Sequence, residues 1–204
     1  MNICIFGSGA IGSYIGALLH KNKINVSLIC RGNHLEAINN NGLLMQSAET
    51  NEEYFCKPIA SDSPNDFKKQ DVIIVTLKAH SAALTANLLK PLLKEDTIVV
   101  SAVNGLPWWY FYKSNDKFEN FKLKTVDPKN LQWDTIEPKR AVGCVVYPAA
   151  EIKKPGFVYH MEGNRFPIGE PSGEITNRVK VLSKILIESG LKSPVRKNIR
   201  SDIW

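Results

Sequence analysis

Near the start of the chain, Gly7-Ser8-Gly9-Ala10-Ile11-Gly12 has the spacing Gly-x-Gly-x-x-Gly. An Ile-rich apolar run, Asn2–Phe6, precedes it, and Ile11, Ile15, Leu18 and Leu19 recur after it at helical spacing. In a strand–turn–helix setting each glycine has its own task. Gly7 makes the tight turn, Gly9 lets the backbone approach a pyrophosphate, and Gly12 lets helix and strand pack closely. The free N–H groups of Ser8, Ala10 and Ile11 at the helix start would then hold phosphate oxygens. A glycine-rich turn without a ligand is the bland alternative, and the flanking pattern argues against it.

Three further side chains could complete such a site. An NAD site places Asp or Glu at the end of the second strand, but here Arg31 stands 19 residues after Gly12 and the nearest acid, Glu36, lies well into the next helix. A guanidinium can grip a 2′-phosphate with two parallel hydrogen bonds, so NADP (NADPH) is expected over NAD. Lys78 and Asn104 each follow a buried apolar run, and ligands of open α/β sheets bind outside the carboxyl ends of their strands. Lys78 could hold a phosphate, a ribose hydroxyl or a carboxylate, and Asn104-Gly105 the nicotinamide end. His80 and His160 are read as satisfied polar residues. Taken alone, Lys78 is equally a surface lysine at a helix start, and Asn104-Gly105 a plain turn.

These residues need a scaffold of alternating strands and helices. Strands are expected at Asn2–Phe6, 24–30, 71–77 and 97–103, with weaker candidates at 43–50 and 54–59. Helices are expected from the glycine turn to about Asn22, from an Asn33 cap to about Asn40 with Gly42 ending it, and over 79–93 with Pro91 closing it. The fold class is therefore α/β, a Rossmann-type parallel sheet with helices on both faces. Additional strands at 140–150, 157–161 and 165–168 extend it, followed by a helix through Ile175, Val179, Leu182 and Leu186 that Gly190 closes.

Composition narrows the class. A chain of 204 residues with 44% hydrophobic and 23% charged residues is neither disordered nor a disulfide scaffold, and it can bury a core without staples. No run suits a membrane span, and the N-terminal stretch lacks the basic leader of a signal peptide. The formal net charge of +6 lies wholly after residue 112. With no recognisable nucleic-acid module, it reads as a solvated basic surface or a field for an anionic small ligand. The four cysteines have no Cys-x-x-Cys spacing; a zinc site is not expected, and Cys4 and Cys30 read as small buried hydrophobes of a reducing, cytoplasmic setting.

The order of these motifs resembles the ketopantoate reductase (2-dehydropantoate 2-reductase) family. The likeness covers the whole chain and rests on the glycine turn, Arg31-Gly32, Thr76-Leu77-Lys78-Ala79, Asn104-Gly105, Pro155-Gly156 through His160, Ile168-Gly169-Glu170-Pro171 and Asn198-Ile199-Arg200-Ser201-Asp202-Ile203-Trp204. It implies an NADPH-dependent oxidoreductase that reduces the ketone of a small 2-keto acid, 2-dehydropantoate, to pantoate in pantothenate biosynthesis. Cofactor contacts are implied at Gly7, Ser8, Gly9, Ala10, Ile11, Gly12, Arg31, Lys78 and Asn104, and at Ala149. Residues 1–197 are expected to form the dinucleotide-binding domain and 198–204 to open a helical C-terminal domain.

In the family a catalytic lysine stands two residues beyond the position of Trp204, so this chain is expected to bind NADPH and turn over poorly. Pro107-Trp108-Trp109-Tyr110-Phe111-Tyr112 holds five of the 18 aromatic residues. It either walls a substrate pocket for a different 2-keto acid or packs as core. A non-catalytic NADP-binding module completed by a partner chain is the reading from another class. The resemblance is compatible with a homo-oligomer, and it implies neither a nucleic-acid nor a membrane partner.

Overall fold

Asn2–Phe6 (β1), Val72–Val75 (β6), Ile98–Ala102 (β7) and Ala141–Cys144 (β8) are buried at nearly every position. Strands covered on both faces read as continuous apolar runs, the mark of a parallel sheet. The computed structural model, which describes residues 1–203, places them in a seven-stranded sheet. With Asn25–Ile29 (β2), Ile59–Ser61 (β5) and Ile168–Gly169 (β11), the order is β11-β8-β7-β6-β1-β2-β5. All pairings are parallel except β11 with β8. The chain winds outward from β1 in both directions, so the sheet reverses beside β1, where such folds open a crevice.

The pleat sends alternate side chains to two cores. Ile3, Ile5, Val72, Ile74, Ile98 and Val100 face one core. It holds the helix Ala10–Lys21 (α1) and the inner face of Asn177–Glu188 (α5), through Val179, Leu182 and Leu186. Cys4, Phe6, Ile73, Val75 and Val99 face the other, against Ala82, Leu89, Leu92, Trp108 and Trp109. Burying each large aliphatic side chain is worth about 1.5–3 kcal/mol, so the cover on both faces, not strand propensity, holds the sheet.

Several local expectations are corrected. The weaker strand candidates do not join the parallel sheet. Leu43–Ser47 (β3) and Glu53–Cys56 (β4) pair with Phe157–Glu162 (β10) and Ala149–Lys154 (β9) in a second sheet, ordered β4-β3-β10-β9, that packs over α1. The helix expected over 79–93 is split. Ala79–Leu84 (α3) ends at Thr85, and a 3₁₀ stretch, Ala86–Leu92, carries Pro91 inside it. The strand expected over 140–150 breaks between Cys144 and Ala149 as the chain passes from one sheet to the other. The one at 165–168 shrinks to β11. Asn33 is not a cap: Gly32–Asn41 (α2) starts two residues earlier than that cap implies, with Arg31 in the capping position.

After β7, Asp127 accepts hydrogen bonds from the Gln132 and Trp133 N–H groups and so caps the short helix Leu131–Ile136 (α4). At the far end, Ile199–Ile203 (α6) buries Ile199 against Trp109 and the close approach at Gly143. Arg200 donates to the carbonyls of Tyr110, Tyr112 and Pro171. The terminal Trp204 of the family motif lies outside the described residues.

Candidate functional site

Parallel register brings the ends of five strands to one edge. Phe6 is level with Ile29 and Val75, Val75 with Ser101, and Ala102 with Cys144. Immediately beyond stand Gly7, Arg31, Lys78, Asn104 and Val146. The four positions that the sequence pattern singled out as glycine turn, Arg31, Lys78 and Asn104 therefore share the carboxyl edge.

The glycine turn is tied down from three sides. The Gly7 and Ser8 N–H groups both donate to the Ile29 carbonyl, at 3.0 and 2.8 Å. The Thr76 hydroxyl donates to the Gly7 carbonyl at 2.8 Å. Gly7 has φ +104°, a value open to glycine, and a Cβ there would strike Leu77. A Cβ at Gly12 would lie 2.6 Å from Thr76 Oγ1, 2.7 Å from the Gly7 carbonyl and 2.9 Å from Ile5. A Cβ at Gly9 meets nothing within 4 Å. Gly12 is thus a packing glycine, and Gly9 faces open space where a ligand's backbone could come close.

Gly9 caps α1 with no side-chain hydrogen bond, and the first turn carries no acid. The first-turn N–H groups at Ala10, Ile11 and Gly12, with the positive end of the helix dipole, suit an anion. Ser8 is not a free donor. It is buried, and its hydroxyl meets Ser13 Oγ at 3.0 Å. Ser13 Oγ also reaches the Ser8 carbonyl and, at 3.0 Å, His34 Nε2; His34 Nδ1 accepts the Gly156 N–H at 3.1 Å. Burial lowers the His34 pKa.

Around the turn, Arg31 and Lys78 are exposed, and no acid pairs with either among the described residues. Asn104 is also exposed, but its amide is partly spent: Nδ2 donates to the Val146 carbonyl and Oδ1 accepts the Val146 N–H, both at 2.9 Å. It ties the end of β7 to the crossover after β8. Ala149 opens β9 at the margin of the second sheet, three residues past Val146, apart from the strand ends of the main sheet.

Asp62, just after β5, was not singled out by the sequence. With burial as the main cause and the Asp62 charge adding, the Cys30 thiol is pushed up to about 11. Neither Thr76 nor His34 was assigned a role from the sequence; Thr76 stood only as part of the Thr76-Leu77-Lys78-Ala79 motif, and the signal for His34 was its place in the helix turn after Arg31.

Other candidates settle as structure. His160 is buried, stacked on Tyr14 with ring centroids 4.2 Å apart, and bonded to Ser47 Oγ and the Gly163 carbonyl. His80 is exposed. Cys4, Cys56 and Cys144 are buried and free, with thiols raised to about 12 by burial. Of the two readings of the aromatic segment, core packing holds for its tryptophans: Trp108 and Trp109 are buried, and Trp109 Nε1 donates to Ser101 Oγ. The cavity beside Trp108, lined also by Phe6, Val75 and Ile136, holds only about 30 Å³, too little for a keto acid. Glu170 is buried and gripped by both Arg178 Nε and Nη2 and by the Thr176 hydroxyl, an ion pair that anchors α5. Among the described residues no helix is long and apolar enough to cross a membrane.

The family described as Ketopantoate reductase PanE/ApbA matches residues 3–173. A 2-dehydropantoate 2-reductase of Mesorhizobium japonicum is 43% identical over the whole of this chain and 62% of its own length. A solved Ralstonia solanacearum MolK2 structure titled as a ketopantoate reductase superposes with a TM-score of 0.93 at 31% identity, over 99% of this chain and 62% of that one. The fold also matches a D-mandelate dehydrogenase solved with NADH and anilino(oxo)acetate, with a TM-score of 0.80 at 22% identity, over 100% of this chain and 59% of that one. The chain spans about three fifths of the length of these relatives. On this match of sequence and fold, the chain belongs to the ketopantoate reductase family.

Proposed function

We propose that residues 1–197 are the NADP(H)-binding portion of an NADPH-dependent 2-keto-acid reductase, with 2-dehydropantoate, the substrate in the relatives' names, as the keto acid. The observation that carries this reading is the glycine turn at the carboxyl edge of the sheet. There Gly9 opens onto free space, the first turn of α1 offers uncapped N–H groups, and Arg31 stands two residues beyond the neighbouring strand, at the cap of α2. These residues fit a dinucleotide. The Ala10, Ile11 and Gly12 N–H groups hold the pyrophosphate, Arg31 takes the 2′-phosphate, and Lys78 holds a phosphate, ribose or carboxylate oxygen. Asn104, fixed by Val146, orients the nicotinamide end with its remaining hydrogen-bonding capacity. When bound, the cofactor supplies the hydride; the protein supplies position and electrostatics.

A second reading, NADH in place of NADPH, is favoured by Asp62, whose charge is felt at Cys30 beside the end of β2. Titrating the chain with each nucleotide by fluorescence or calorimetry separates the two. Tighter binding of NADPH supports the first reading. Equal or tighter NADH overturns it, and binding of neither overturns the dinucleotide site itself.

A further inference from the structure

His34 stands where three elements meet: its own α2, the first turn of α1, and the turn between β9 and β10. Gly156 in that turn has φ +76°, and a Cβ there would press on Ala37 and the Gly42 carbonyl, so the turn sits directly on α2. The hydrogen bonds around the ring leave one arrangement of protons. The Gly156 N–H can only donate, so Nδ1 must present its lone pair, and the ring proton is on Nε2. Nε2–H therefore donates to Ser13 Oγ, Ser13 sends its own proton to the Ser8 carbonyl, and the Ser8 hydroxyl donates to the second lone pair of Ser13 Oγ. Each of the four protons in this network is used once. Its far end is Ser8, inside the glycine turn, and Arg31 lies three residues before His34.

We infer that His34 is a positioning residue of the dinucleotide site: as the neutral Nε2–H tautomer it locks the glycine turn, through Ser13 and Ser8, to the helix that follows Arg31. This rests on the dinucleotide reading above. A protonated ring would turn an N–H towards the Gly156 N–H and break the chain at that end. The ionisable groups on the elements meeting at the ring are Arg31 at the cap of α2 and Glu36 within it, Tyr14, His20 and Lys21 on α1, Glu151, Lys153 and Lys154 on β9, and Tyr159, His160 and Glu162 on β10. Burial is what favours the neutral form.

The test is NADPH titration of the full chain and its variants, with thermal melting in parallel. His34→Leu is expected to weaken NADPH binding about three- to tenfold, the size of one or two lost hydrogen bonds. His34→Gln, whose amide offers an acceptor and a donor at similar separation, is expected to stay within about twofold. Ser13→Ala should lose the same factor as His34→Leu, and the double variant no more than either. As pH falls below 6.5, through the lowered His34 value, the wild type should lose more affinity than His34→Gln. The 2′-phosphate titrates near pH ~6 in both, so the difference isolates His34. Wild-type affinity in a folded His34→Leu, or identical pH profiles in wild type and His34→Gln, overturns the inference alone. If His34→Leu does not fold, the pH comparison and Ser13→Ala decide it. A wild-type chain that binds no dinucleotide overturns the reading beneath it as well.

Discussion

Alanine at Gly9 and alanine at Gly12 should have opposite effects, although the two positions are one helical turn apart. Gly9 has φ −79°, which alanine adopts freely, and the added methyl meets no protein atom within 4 Å. Gly9→Ala should therefore leave the melting temperature within the error of a surface substitution, about 0.5 kcal/mol. The methyl would, however, stand where a pyrophosphate must approach. An intrusion of that kind costs about 1–3 kcal/mol, so Kd for NADPH should rise about 5- to 150-fold.

At Gly12 the methyl would lie 2.6–2.9 Å from Thr76 Oγ1, the Gly7 carbonyl and Ile5. One of these is backbone, and Thr76 is held by its bond to that same carbonyl. The neighbours cannot yield cheaply. Gly12→Ala should lose about 1–3 kcal/mol of stability, which for a chain of this size is about 2–12 °C in Tm. Differential scanning fluorimetry with and without NADPH reads both quantities. An unchanged Kd in Gly9→Ala, or an unchanged Tm in Gly12→Ala, would refute the roles assigned to the two glycines.

Two further outcomes follow from the ion pairs. Arg178→Met should destabilise the chain by about 3–5 kcal/mol in denaturant unfolding, because it leaves the buried Glu170 carboxylate without its bidentate partner; a loss under about 1 kcal/mol would contradict it. Asp71 is held below its usual pKa by hydrogen bonds from Lys94 and from the Asn2 N–H. Its contribution is present above the unfolded value of 3.8 and is lost as pH falls through the lowered one. The side chain is 32% exposed, so less than about 1 kcal/mol is at stake. Asp71→Asn should flatten the stability profile in that acid window, and an unaltered profile would remove Asp71 from the account.

The parts of the fold legible in the sequence were those set by local pattern. The glycine turn, its strand and its helix announce themselves within 20 residues, and the runs at 71–77 and 97–103 can only be buried strands. The second sheet was not legible, because the partners that draw β3 out of the parallel sheet come from the other half of the chain: Met45 pairs with Val158. Apolar periodicity marks a strand, not its neighbour. The break at Thr85 and the displaced start of α2 are boundary effects that tertiary packing decides. In the site, the sequence marked residues at strand ends and could not show what each one touches. Asn104 reads as a ligand contact from its position, and only coordinates reveal that Val146 takes half its amide. Thr76 and His34 act through another residue, so nothing in their own types announces it.

The central claim is that Arg31 makes this a 2′-phosphate site, and the most direct measurement is the Kd of NADPH and of NADH for wild type and for Arg31→Ala. A charge-assisted contact is worth about 1.5–3 kcal/mol, so NADPH should weaken about 10- to 150-fold, with NADH changed by less than about threefold. Equal losses for the two nucleotides, or none for NADPH, would contradict the account.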